Sequence, residues 1–196
     1  MSARIPRLAL GDLDPELAAA LAPRVERLGY LGEFFRCAGH QPGALKGFVT
    51  LTEELRRALP DDLTEVVALA VTTRLGNVYE QNQHERLCLK LGFAPEWIRA
   101  ACRGAERAAA QAVPDPGATL SADQRVVREL ALAVVERSGH GVGAELEAAI
   151  DAIGAAQSIA VLLLIGRYVT HSLVVNALGL EPPVGSPLAP ADGGGE

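Results

Sequence analysis

Aromatic residues are scarce in this chain, at 4% of 196 residues. Ala, Leu and Val must therefore fill the core, which favours close helix packing over a sandwich. Cysteine is also sparse. Cys37, Cys88 and Cys102 are widely spaced, odd in number, and form no Cys-x-x-Cys. This argues against a disulfide framework and for a reducing, cytoplasmic setting. Each thiol reads as a small buried hydrophobe. The net charge is −6 and no block of Lys or Arg stands out. The footprint of a nucleic-acid binder or of a protein held on an anionic membrane is thus missing. The N-terminal run MSARIPRLALGDLDPE has neither the apolar core nor the cleavage site of a signal peptide. The longest apolar region, Ile159–Leu180, is interrupted by Arg167, Tyr168, His171 and Asn176. A membrane span needs ~20 largely apolar residues, so this region reads as a buried helix. No internal repeat and no convincing strand pattern is found.

What is present is helical period almost throughout. Hydrophobic residues make up 49% and charged residues 21%, ordinary for a soluble globular chain. Asp14 is placed to cap a helix from Pro15 to about Arg27. A turn through Gly29–Gly32 leads to one helical turn at Glu33–Ala38. Gln41-Pro42-Gly43 opens a helix over Ala44–Ala58. Asp61 or Asp62 caps the next, Leu63–Leu75, which is apolar nearly all round and is expected to be central. Gly76-Asn77 ends it. Helices follow at about Val78–Leu91 and from Ala94-Pro95-Glu96 to about Cys102. Gly104–Thr119, with Pro114, Asp115, Pro116 and Gly117, is the most loop-like internal stretch. Ser121 and Gln124 form a candidate capping box for a helix ending near Ser138. Two more helices are expected at Gly143–Ile153 and Ala155–Leu178. Residues 1–183 read as one domain and 184–196 as a Pro/Gly-rich disordered tail.

The chemistry concentrates between Glu65 and His84. Asn77, Glu80 and His84 stand at i, i+3 and i+7, one face of a helix. Glu80 and His84 are one turn apart, within reach of a carboxylate–imidazole hydrogen bond. Asn77 would sit at the helix N-terminus, where the dipole favours negative charge. Burial disfavours ionised carboxylates, whereas a carboxylate beside His84 favours the imidazolium. The sequence leaves that balance open, and either state permits proton transfer near neutral pH. Alternatives stay open residue by residue. Glu80 and His84 as a mere i,i+4 pair would stabilise the helix by about 0.2–0.5 kcal/mol. Glu65 would face solvent, Asn77 would be only a cap, and Arg74 a helix C-terminal charge. Arg167 and Tyr168 would line a pocket or an oligomer interface, and His171 reads as a satisfied core histidine. Glu80 and His84 lack a third metal ligand at useful spacing, so no metal site is expected.

The run Leu59-Pro60, Glu65, Asn77, Tyr79-Glu80, His84, Leu91-Gly92-Phe93 and Pro95-Glu96-Trp97-Ile98 resembles the carboxymuconolactone decarboxylase family. That family belongs to the AhpD-like superfamily. Ile165-Gly166-Arg167-Tyr168 and Asn176–Leu180 are similar to its last helix, and the resemblance spans about residues 11–183. It implies an all-α, AhpD-like domain of about eight helices, assembled as a homo-oligomer, trimer or hexamer. Redox members carry Cys-x-x-Cys where this chain has Asn77 and Glu80. A dithiol needs both an attacking and a resolving thiol, so peroxidase activity is not expected. The resemblance implies a cofactor-free acid–base enzyme acting on a small carboxylated lactone or cyclic acid. His84 would be the acid/base, Glu80 its orienting partner, and Glu65 a relay or substrate holder. Asn77, Arg74, Tyr79, Arg167 and Tyr168 are the candidate substrate-binding residues. The competing reading is a non-catalytic small-molecule-binding or structural oligomer on the same fold. A thiol-dependent antioxidant acting through Cys88 ranks last.

Overall fold

The computed structural model describes residues 5–103 and 120–189. Among these residues there are eight α-helices, a short 3-10 turn at Leu10–Asp12, and no strand. The helices are α1 (Pro15–Leu28), α2 (Glu33–Ala38), α3 (Pro42–Ala58), α4 (Asp61–Arg74), α5 (Val78–Lys90), α6 (Pro95–Cys102), α7 (Ala122–Arg137) and α8 (Gly143–Leu178). Their starts follow the expected chemistry. The Asp14 carboxylate accepts from the Leu17 N–H at the head of α1. Ser121 and Gln124 form a reciprocal capping box on α7. Pro occupies the first turn of α1, α3 and α6, where its missing N–H costs nothing.

Helix α4 is the axis of the molecule. Every residue from Leu63 to Thr72 is buried, and α4 packs against α5, α6, α7 and α8. A helix apolar on all sides can be accommodated only where neighbours surround it. Helix α8 runs beside it and also meets α3 and α7. Its 36 residues are interrupted at Gly154, whose φ of 80° and ψ of 162° are not helical. The break falls between the two helices expected at Gly143–Ile153 and Ala155–Leu178. By length and composition alone, α8 is long and apolar enough to cross a membrane. Ile159, Leu163 and Leu173 are half or more exposed on its outer side, while Arg167, Tyr168 and His171 are buried on its inner side.

The apolar side chains form two clusters. The larger joins α4, α6, α7 and α8. The smaller gathers α1, α2 and α3 with Tyr79, Val175 and Leu180. Buried polar residues lie between the two, among them Glu65, Glu80, Arg167 and His171. Residues 181–189, expected to belong wholly or partly to a disordered tail, instead cross α5. Asn82 donates to the Val184 carbonyl at 2.9 Å, Arg86 donates to the Gly185 carbonyl at 3.2 Å, and Leu188 packs on the larger cluster. The backbone carbonyls of this segment are satisfied by side chains of α5, which composition does not reveal. The rest of the tail, 190–196, and the expected loop at Gly104–Thr119 lie outside the described residues.

Candidate active site

The end of α4 and the start of α5 are joined by a tight turn, and Asn77 caps α5 by accepting the Glu80 N–H at 3.1 Å. That bond orients the Asn77 amide. Its NH2 group then donates to His171 Nδ1 at 3.1 Å and to Ser172 Oγ at 3.0 Å. With Nδ1 accepting, the His171 proton sits on Nε2, which faces Glu80 Oε2 at 3.5 Å. The ring stacks on Phe34 with centroids 4.1 Å apart. Burial outweighs the attraction of Glu80, pulling the His171 pKa down to about 4, so this imidazole is neutral at pH 7.

His84 has the opposite character. Its Nδ1 lies 2.6 Å from Glu65 Oε2, and Glu65 is only 1% exposed. Burial alone would lower the His84 pKa, but the Glu65 and Glu80 carboxylates override it and raise the value to about 9. His84 is therefore an imidazolium at neutral pH. Its Nε2 meets the Tyr168 hydroxyl at 3.0 Å and lies 3.8 Å from Glu80 Oε1. Burial, reinforced by the nearby carboxylates against the opposing Arg167 charge, raises the Tyr168 pKa, so the phenol keeps its proton. With the imidazolium donating from Nε2 to the phenol oxygen, the phenol O–H is left to donate onward. Glu65, His84 and Tyr168 thus form a buried proton-transfer chain.

Glu80 belongs to a second pair. Arg167 donates to Glu80 Oε1 at 2.8 Å and to Thr52 Oγ1 at 3.2 Å. Its guanidinium lies over the Tyr168 and Phe48 rings at 4.4 and 4.9 Å. Burial opposes ionisation of Glu80, but the positive groups around it hold its pKa well below the usual carboxylate range. Above about pH 4, where His171 is neutral, Arg167 and His84 supply that charge. Glu65 makes the short contact to His84 Nδ1, while Glu80, held by Arg167, lies beside His84 Nε2.

These groups border a cleft of about 340 Å³ between the two apolar clusters. Of the residues expected to contact substrate, Tyr79, Arg167 and Tyr168 line it, as do Glu65, Glu80 and His84. Asn77 is buried behind the cleft as cap and as the partner of His171. Arg74 points away and pairs with Glu136 at 3.0 Å. Burial and Glu65 both raise the Cys88 pKa; the thiol, fully buried, donates to Glu65 Oε2 at 3.5 Å. Among the described residues no group of three His, Cys, Asp or Glu is arranged to hold a metal ion.

The cleft also contains residues not anticipated as site residues. Arg24, Arg27, Arg56, Arg86 and Lys90 join Arg167 and the His84 imidazolium along its wall, seven cations against the carboxylates of Glu65 and Glu80. In a chain of net charge −6, this is a local inversion of sign. One signal for Arg24 was available: it shares a helix face with Leu17, Leu21 and Leu28, at spacings of four, three and four. An Arg on an apolar stripe points inward.

Fold and site together define an all-α protein of AhpD-like architecture whose cleft carries a buried Glu–His–Tyr chain. The wider comparisons agree. Residues 42–115 match the carboxymuconolactone decarboxylase family. The fold is similar to that of the debrominase Bmp8, with a TM-score of 0.76 and 14% identity over 94% of each chain. A complex of Bmp8 with 2,3,4-tribromopyrrole gives 0.74 and 15% over 92% of each. An uncharacterized peroxidase-related protein with an AhpD core from Ralstonia eutropha JMP134 gives 0.74 and 16% over 91% of each. No curated protein matches the chain at a significant level. The match to the family thus covers residues 42–115, and the likeness to the solved structures is one of fold.

Proposed function

We propose that this protein is a cofactor-free acid–base enzyme that decarboxylates a small carboxylated lactone or cyclic acid. The observation that carries the reading is the Glu65–His84–Tyr168 chain, which keeps a proton donor charged at the floor of an Arg-lined cleft. When the substrate's C–CO2 bond breaks, CO2 leaves and the electron pair passes into the conjugated ring system as a dienolate. The carbon then takes one proton from His84 Nε2, directly or through the Tyr168 hydroxyl. The neutral imidazole regains a proton from solvent. Glu65 holds the ring and its charge throughout. Arg167, fixed by Glu80 and Thr52, offers a guanidinium edge to the developing oxyanion.

A thiol route has little support, because no cysteine lines the cleft among the described residues and Cys88 is held as a protonated donor. The debromination in the Bmp8 neighbour's name belongs to that protein and, at 14% identity, is not carried over. The test is CO2 release from a panel of carboxylated five- and six-membered lactones and cyclic acids. At least one should turn over, and His84→Gln should lower kcat/KM on it by about 10²–10⁴-fold. Full turnover by the His84→Gln protein would refute the assignment.

A further inference from the structure

We propose that Asn77 and His171 are positioning residues, which keep Glu80 on Arg167 and away from the proton that His84 delivers. This rests on His84 being the acid, as read above. Glu80 and His84 stand one turn apart on α5, a carboxylate and an imidazolium at the spacing where such groups pair. A bond between them through Nε2 would tie up the proton that the reaction needs. In the structure Nε2 goes instead to the Tyr168 hydroxyl at 3.0 Å, and Glu80 Oε1 stands off at 3.8 Å.

Each Glu80 oxygen has its own holder. Arg167 donates to Oε1 at 2.8 Å, and His171 Nε2 faces Oε2 at 3.5 Å. Arg167 and His171 are four positions apart on α8, so both arms come from one helix face. A carboxylate engaged at both oxygens cannot swing either one onto His84 without losing a partner. Glu80 is buried, so water does not replace what is lost. His171 can serve only as the Nε2–H tautomer. With the proton on Nδ1, a bare Nε2 lone pair would face the carboxylate and repel it.

Asn77 decides the tautomer. Its carbonyl oxygen is committed to capping α5, where it accepts the Glu80 N–H at 3.1 Å. The amide therefore presents its NH2 group to α8, donating to His171 Nδ1 at 3.1 Å and to Ser172 Oγ at 3.0 Å. An NH2 group accepts nothing, so Nδ1 must be the bare nitrogen. Asn77 and His171 are 0% and 2% exposed, and the imidazole stacks on Phe34 at 4.1 Å, so neither side chain has room to turn. The charged and titratable groups facing His171 are Tyr79, Glu80 and His84 on α5, Arg167 on α8 and Arg24 on α1. Those facing His84 are Glu65 on α4, Glu80 on α5 and Tyr168 on α8. Glu80 faces both rings, and an effect of His171 on His84 runs through it.

The test is nitrogen NMR of the full chain, isotope-labelled at histidine and titrated across pH. In the wild type His171 should carry its proton on Nε2 with Nδ1 bare, and His84 should titrate near pH 9. His171→Phe keeps the ring stack and removes the donor. Glu80 should then turn to His84 and raise its midpoint by about one pH unit. His171→Gln restores an N–H donor and should bring the midpoint back to the wild-type value. Asn77→Asp keeps an oxygen for the α5 cap but sets an acceptor against Nδ1, which should become protonated. An Nδ1–H tautomer in the wild type, or an unmoved His84 in the folded His171→Phe protein, overturns the proposal. Should His171→Phe not fold, an unprotonated Nδ1 in Asn77→Asp overturns it instead. On an acid that the wild type decarboxylates, His171→Phe should lower kcat by about tenfold or more with KM little changed. The NMR measurements need no substrate. A protein that shows the expected tautomer and shifts but turns nothing over would refute the catalytic reading alone, so the two failures are separable.

Discussion

Glu65 and His84 show how one contact sets a side chain's chemistry. An imidazole buried this deeply would ordinarily be neutral, as His171 is at a pKa of about 4. His84 instead rises to about 9 because Glu65 lies against Nδ1. A reaction that needs the imidazolium should therefore keep a flat kcat/KM up to about pH 9 and lose it tenfold per unit above. In Glu65→Gln the attraction is gone, and the alkaline limb should move down toward the ordinary imidazole value. A pH–rate profile checks this, and an unmoved limb would mean that Glu65 does not govern His84. The candidate residues were legible in the sequence, because Glu65 interrupts an apolar helix and Asn77, Glu80 and His84 share one face of the next. Their partners were not. Glu80 sits one turn from His84, yet it is held by Arg167, 87 positions away, because a guanidinium offers directed donors to a carboxylate at shorter range. Arg74 is polar like the others, but it ends α4 on the solvent side and finds Glu136.

Helices were the most legible level. Period, caps and Gly or Pro stops place all eight starts within about two residues, because they act locally. Gly154 is the informative exception within α8. Its φ of 80° and ψ of 162° fall where only glycine is at ease. An added Cβ there would meet nothing within 4 Å, so the cost of Gly154→Ala is purely one of backbone. That substitution should destabilise the fold by about 1–3 kcal/mol. Urea denaturation measures it, and an unchanged midpoint would mean that the break does not need glycine. The break matters to the site because the second half of α8 delivers Arg167, Tyr168 and His171 to one wall. Composition did not announce the course of residues 181–189 over α5. It records few apolar residues there, whereas Asn82, Glu85 and Arg86 supply the binding groups.

Across the whole molecule, the buried ionisable groups dictate how stability varies with pH. His84 has a folded pKa above its unfolded value, so its contribution is complete below about pH 6.5 and is lost as pH rises through about 9. His171 is depressed to about 4, so the fold is penalised as pH falls from about 6.5 through 4. Glu80, held well below its usual range, adds a loss as pH falls further. Stability should therefore be highest near neutral pH. His171→Gln should flatten the slope between pH 6.5 and 4, whatever it costs in stacking on Phe34. Thermal melts across pH decide this, and an unchanged acid slope would assign that slope to other groups. By itself the sequence determined the helices, the central place of α4 and the set of candidate acids and bases, because caps, stops and apolar period act locally. Only the tertiary structure decided which carboxylate holds His84, where Arg167 reaches, and that Arg24 and Arg56 turn a cleft positive in an acidic chain. Those outcomes depend on side chains tens of residues apart meeting in a low-dielectric space, and no local pattern encodes such meetings.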